Sequence, residues 1–388
     1  MIKLIQSRWT RLPEVLRFSL PLWLMARLLT SLFGVWIWNL RPHPPKEIMV
    51  FYEGLQPVVE GWRGMLFGVW QRWDTIYYQT IVEQGYVTEK SSVFFPLYPL
   101  TAKFLSRLTG LGSLESLFAV STLAYLAVLI LLYVLTKEEF GSPIARRATL
   151  ALAVFPSSFF FLALYPQGLG LALVLLAIWL AQKRRWFGCA IVSWLAGLTH
   201  STALPLSLIL LAEAVIFIRQ NTFPWRWMSL FVVGMPTLGI GLFWAWRIQQ
   251  GFSPIINIIT AEFARYPAAP WTNLINWIVM LPQHLLSPDW LINSIALTLT
   301  IASIVWAGKK VSIGWALYQA ALLIMVLGIG VSYDPLLSYN RYILAGFPLF
   351  LMLGWWANTP AKRLAGFAMC VLGHYFLVLF FLLWAWVG

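Results

Sequence analysis

The sequence predicts an all-α polytopic membrane protein, a single integral membrane domain over residues 1–388. Three observations predict it. Sixty per cent of the residues are hydrophobic and only 11% are charged, whereas a soluble domain carries about 25% charge. Apolar runs of roughly 20 residues recur along the whole chain, the length a helix needs to cross a bilayer. The basic residues fall in alternate connections between those runs, as the positive-inside rule requires.

Eleven runs read as spans: 18–40, 115–136, 148–165, 167–182, 186–200, 203–218, 228–247, 290–307, 312–331, 341–357 and 365–387. The first follows a basic N-terminus and lacks a small-residue cleavage site, so it reads as an uncleaved span. Residues 41–114 form a long first loop. It opens on Arg41-Pro42-His43-Pro44-Pro45, which cannot be helical. Inside it, Trp70, Trp73, Tyr77 and Ile81 recur at roughly helical spacing. That spacing predicts a short amphipathic helix over 70–84 lying on the membrane interface. A further short helix is expected over 97–110. Residues 248–289 form a second large loop with an apolar stretch, 271–286, expected to be half-inserted. Cys189 and Cys370 fall inside apolar runs and imply no disulfide framework.

The net charge of +13 resembles a nucleic-acid signal until its distribution is read. Placing the N-terminus in the cytoplasm puts Lys3, Arg8, Arg11 and Arg17 on that side. Lys137, Arg146, Arg147, Lys183, Arg184, Arg185, Arg219, Arg226, Lys309, Lys310, Lys362 and Arg363 follow. Together they are sixteen of the 27 basic residues. Membrane topology accounts for the charge, and no nucleic-acid partner is expected. The same assignment makes Glu47, Glu53, Glu60, Asp74, Glu83, Glu89, Glu262, Asp289 and Asp334 extracytoplasmic. The tight turns Tyr165-Pro166-Gln167 and Thr199-His200-Ser201 fall on that side too. Lys103 and Arg107, in the short helix expected before the second span, are basic charges on that acidic side, a small departure from the rule. Most of the 23 tryptophans read as interfacial belt residues.

Asp74 stands out among the acids because Arg72, Trp73, Tyr77 and Tyr78 surround it next to the membrane. A partly desolvated carboxylate is a better proton acceptor. Arg341 stands in a polar Ser-Tyr-Asn-Arg-Tyr cluster opening an apolar run. It reads as a snorkelling cation or as a phosphate ligand. Glu262 and Arg265 share a polar turn and read as a surface ion pair or an acceptor-binding pair. Arg27 is a charge inside the first span. There is no Asp-x-Asp, no His-x3-His and no cysteine cluster, and His43, His200, His284 and His374 are scattered singly. No metal or other cofactor is expected.

The string WD-x2-YY-x2-I-x3-GY-x7-FFP-x-YPL, residues 73–100, resembles the first extracytoplasmic loop of PIG-V-type membrane mannosyltransferases, the GPI mannosyltransferase 2 kind and its prokaryotic relatives. Those belong to the GT-C class. Weaker likenesses follow in order. Pro156-Ser157-Ser158-Phe159-Phe160-Phe161 with Leu164-Tyr165-Pro166-Gln167 resembles a family segment, with Gln167 where relatives carry Glu. Thr199-His200 stands where relatives carry Thr-Arg, and S-x2-RY-x4-FP at 338–348 resembles a C-terminal motif.

The resemblance implies a GT-C fold and a lipid-phosphate mannose donor, polyprenyl or dolichyl. It implies a lipid-linked or glycan acceptor and inverting displacement with Asp74 as general base. Arg341 and Arg72 are then expected to bind the donor phosphate. Trp73, Tyr77, Tyr78, Gln167, His200, Glu262, Arg265 and Tyr339 are expected to contact substrate, with His200 able to replace part of an arginine's role if protonated. Short loops favour a bacterial plasma membrane with an outward-facing site over an endoplasmic reticulum membrane with a lumenal one. The alternatives are a lipid or polyprenyl-phosphate flippase, which should show broken helices in repeated halves, and an acyltransferase using His200 or His374.

Overall fold

The computed structural model describes residues 12–387 except 53, 221, 223, 285–286 and 332–333. Lys3, Arg8, Arg11 and Glu53, and the side chain of Asp289, lie outside the described residues. The described residues are mostly helical. In order come α1 Glu14–Leu40, α2 Gly61–Leu66, α3 Asp74–Glu83, α4 Leu97–Thr109, α5 Ser113–Phe140 and α6 Ser142–Val154. Then follow α7 Gln167–Gln182, α8 Trp186–Gly197, α9 Leu206–Gln220, α10 Met235–Gln249, α11 Ile255–Phe263 and α12 Pro270–His284. The last are α13 Pro288–Lys310, α14 Ile313–Leu327, α15 Tyr339–Tyr342, α16 Pro348–Trp356 and α17 Pro360–Leu382. Two-residue strands, β1 Tyr266–Pro267 and β2 Ile329–Gly330, pair antiparallel and tie the second large loop to the segment after α14.

Among the described residues, six helices are long and apolar enough to cross a membrane, and three shorter apolar ones accompany them. The expected spans 148–165 and 341–357 are not continuous helices. Phe155-Pro156 ends α6 after 13 residues, and tight 3₁₀ turns occupy Pro156–Phe161. The second begins as a four-residue turn at 339–342, passes through 3₁₀ geometry at Ile343–Ala345, and restarts at Pro348. Proline supplies no N–H to continue a helical ladder, so both breaks sit where a proline enters. The breaks matter because both segments lie beside Asp74.

The helix expected to lie on the interface is also different. In α3 every residue from Thr75 to Val82 is buried. Periodic spacing identified a helix but not its surroundings. It is covered by protein on all sides instead of resting on lipid. Elsewhere helices approach closely. A Cβ on Gly354 in α16 would lie 2.5 Å from the backbone nitrogen of Ala148 in α6. Arg147 Nε donates to the Gly354 carbonyl across the same contact at 2.8 Å.

Ion pairs at the helix ends join residues that the charge pattern assigns to one side. Glu14 accepts from Lys137 at 2.8 Å and from Arg146 at 2.6 Å. Lys183 pairs with Glu138 at 2.9 Å, and Arg184 with Glu213 at 3.0 Å. At the other end Arg63 meets Glu115 at 2.6 Å and Lys90 meets Glu262 at 3.0 Å. Cysteines replacing Arg184 and Gln56, in a background lacking Cys189 and Cys370, should therefore react with an impermeant thiol reagent from opposite faces of sealed vesicles. Labelling of both from one face would overturn the assignment of sides.

Candidate active site

The site starts with an uncommon backbone. Trp73 precedes α3 with φ 51° and ψ −124°. A bulky side chain at positive φ is unfavourable by about 1–3 kcal/mol and persists only where its surroundings fix it. Here three rings fix it. Trp73 meets Phe51, Trp384 and Trp386 edge-on, with centroids 6.0, 5.9 and 5.1 Å away. Residue 74 consequently opens α3, where the N-terminal end of a helix favours a negative charge.

Asp74 meets Arg341 directly. Arg341 Nη1 donates to Asp74 Oδ2 at 2.6 Å, and the two side chains are only 7% and 16% exposed. The backbone N–H of Asp74 donates to the Tyr165 hydroxyl at 3.2 Å. Arg341 stands on the short α15 turn. Its N–H and that of Tyr342 both bond the Ser338 carbonyl, and Ser338 itself has φ 68°. Rings enclose the guanidinium: Tyr342 at 5.3 Å, Tyr165 at 5.7 Å, and Phe160 and Trp386 at 5.8 Å. Arg341 Nε is buried without a hydrogen-bond partner. The pair sits in a low-dielectric setting where losing either partner leaves a stranded charge, a change worth about 3–5 kcal/mol.

Arg341 also borders a small cavity of about 20 Å³. Pro166, Gln167, His200, Tyr318 and Tyr342 complete much of its wall. Gln167 opens α7, and its Oε1 is buried and unpartnered. The structure thus gathers Asp74, Arg341, Gln167 and His200 from four distant stretches of sequence. His200 Nδ1 accepts the Thr202 backbone N–H at 3.1 Å. An accepting Nδ1 carries no proton as placed, which leaves Nε2 as the ring's donor. Tyr78 packs edge-on against Tyr165 at 6.4 Å, and Tyr77 stacks on Phe94 at 4.9 Å. Tyr339 is buried and lines a smaller neighbouring space with Thr300 and Gln319.

Two expectations are corrected. Arg72 points away from the cavity: it donates to the Leu382, Gly68 and Gln71 carbonyls and lies 4.3 Å from the Trp384 ring. It pins the chain end to the first loop, so no phosphate role is assigned to it. Glu262 and Arg265 do not pair with each other. Glu262 goes to Lys90, while Arg265 Nη2 donates to Ser338 Oγ at 2.9 Å. The residues missed from sequence are Tyr165, Tyr342, Trp384 and Trp386. The Trp-Ala-Trp at 384–386 was the available signal, but nothing local connects it to Trp73. Among the described residues no group of three His, Cys, Asp or Glu could hold a metal ion.

Comparison with known proteins follows from this geometry. Residues 14–230, more than half of the chain, match the family described as Mannosyltransferase (PIG-V). That stretch holds Asp74, Tyr165, Gln167 and His200, while Arg341 and the C-terminal tryptophans lie beyond it. The GPI alpha-1,6-mannosyltransferase 2 of Cricetulus griseus is 28% identical over 203 residues, covering 49% of this chain and 38% of that protein. The Homo sapiens protein of the same name is 23% identical over 248 residues, covering 58% of this chain and 49% of that protein. The chain thus spans less than half the length of these curated relatives. The Archaeoglobus fulgidus oligosaccharyltransferase structure aligns over 94% of this chain and 53% of its own, with 14% identity and a TM-score of 0.42. That likeness is too distant to assign a fold. The family match over residues 14–230 is enough for membership: the chain belongs to the PIG-V mannosyltransferase family.

Proposed function

We propose that this chain is a GT-C-type membrane mannosyltransferase. It moves a mannosyl residue from a polyprenyl- or dolichyl-phosphate donor to a lipid-linked or glycan acceptor, on the extracytoplasmic face. The observation that supports it best is the buried Asp74–Arg341 pair, whose arginine lines a small cavity. An acceptor hydroxyl must lose a proton as it attacks the anomeric carbon, and we assign Asp74 as the carboxylate that takes it. A carboxylate has about four lone-pair sites, so Arg341 leaves room for a second donor. The leaving phosphate needs positive charge more than it needs a proton. Arg341 gives one N–H to Asp74, and the planar fork of a guanidinium suits the oxygens of a phosphate. Gln167 and His200, across the cavity, suit the hydroxyls of a sugar. Inversion follows from a single displacement with one base.

Purified protein in liposomes should transfer labelled mannose from polyprenyl-phosphate mannose and not from GDP-mannose. Transfer from the nucleotide sugar alone would overturn the donor. Movement of the lipid-linked sugar between leaflets, with no new glycosidic product, would make the protein a transporter.

A further inference from the structure

Helix α4 carries a face that the site does not use. Leu100, Phe104 and Leu108 follow one another at i, i+4 and i+8, which lines them up along one side. They are 49%, 67% and 70% exposed. The opposite side is the one that packs inward. Tyr98 and Ala102 are fully buried there, and the Tyr98 hydroxyl bonds Ser121 Oγ at 2.7 Å. The helix is therefore apolar on two opposite faces, only one of which meets protein. At 13 residues it is roughly 20 Å long, too short to cross a hydrocarbon core of about 30 Å.

Two cations border the outward stripe. Lys103 and Arg107 stand one turn apart, and by helical geometry they lie along one edge of the Leu100–Phe104–Leu108 row. Like charges at this spacing repel. Among the described residues neither has an ion-pair partner, although the neighbouring cations Arg63 and Lys90 pair with Glu115 and Glu262. They are also among the basic residues that the charge pattern leaves on the acid-rich side. An apolar stripe with a basic edge, on a short helix in a membrane protein, complements one occupant. That occupant is a leaflet whose acyl chains take the leucines and phenylalanine and whose headgroup phosphates take the cations.

We propose that α4 is an interfacial docking helix for anionic phospholipid headgroups, seated in the leaflet on the side of the Asp74–Arg341 pair. The inference is independent of what the site catalyses. The partner is the lipid surface itself, and selectivity for anionic over zwitterionic lipid comes from Lys103 and Arg107. Each charge near such a surface is worth about a five-fold enrichment of anionic lipid.

The test places a fluorophore on Phe104→Cys in full-length protein carrying Cys189→Ala and Cys370→Ala, reconstituted in mixed liposomes. Phosphatidylglycerol with brominated acyl chains should quench the probe several-fold more strongly than phosphatidylcholine with the same chains. Aqueous iodide should quench little. Lys103→Gln with Arg107→Gln should equalise the two lipids, and Lys103→Arg with Arg107→Lys should keep the preference. Equal quenching by both lipids in the parent protein overturns the proposal, as does an undiminished preference in the double glutamine variant. Strong iodide quenching would put the face in water. Protection from iodide and bromine alike would put another protein on it. Either result also overturns the proposal.

Discussion

Replacing Asp74 with asparagine should lower mannosyl transfer by roughly a hundred- to ten-thousand-fold, the range for losing a general base. Asparagine keeps the shape and one carbonyl oxygen for Arg341 Nη1, but it has no basic lone pair to receive a hydroxyl proton. It also strands the Arg341 charge, which the structure holds at 7% exposure among four rings. Stability should therefore fall as well, by up to about 3–5 kcal/mol. The two effects separate in the pair variant. Asp74→Asn combined with Arg341→Gln removes both charges, so it should regain part of the lost thermal stability and none of the lost turnover. Transfer at a near-normal rate by a purified, folded Asp74→Asn protein would remove Asp74 from the role of base.

The fold was legible wherever the signal is local. Apolar runs found nearly every long helix, because a span must be continuously apolar. They failed at 148–165 and 341–357, where Pro156 and Pro348 interrupt runs that composition alone reads as unbroken. The surroundings of α3 were not legible. Helical spacing of Trp70, Trp73, Tyr77 and Ile81 is the same whether lipid or protein covers the ring faces. The Glu262–Arg265 expectation failed for a more specific reason. Ala264 between them takes up the left-handed conformation that ends α11, with φ 51°. The chain turns there, sending Glu262 to Lys90 and Arg265 to Ser338.

The site was legible as single residues and not as a constellation. Asp74 and Arg341 are 267 positions apart, and each drew notice from its own polar neighbours in an apolar chain. Their direct contact was not foreseen; Arg341 was expected to meet the donor phosphate. Trp386 reaches Trp73 from the end of the chain, and no pattern along the sequence encodes such a contact.

Arg341 should tolerate lysine better than glutamine, and the difference should appear with phosphate. Arg341→Lys keeps a cation for Asp74 and a point charge for the leaving group, while losing the planar fork. Arg341→Gln leaves the Asp74 carboxylate without its cation and the departing phosphate without charge stabilisation. Losing one such electrostatic stabiliser is worth on the order of a hundred- to a thousand-fold in turnover. A purely positioning role would also slow turnover, so a second readout is needed. Released polyprenyl phosphate should inhibit the wild type, inhibit Arg341→Lys less, and inhibit Arg341→Gln least, whereas uncharged polyprenol should bind all three alike. That ordering follows from a guanidinium that touches the phosphate, because only the charged lipid feels its removal. If lysine and glutamine variants turn over equally, or if polyprenyl phosphate inhibits all three equally, Arg341 serves to hold Asp74 in place. The cation for the leaving phosphate would then have to be sought outside this cavity.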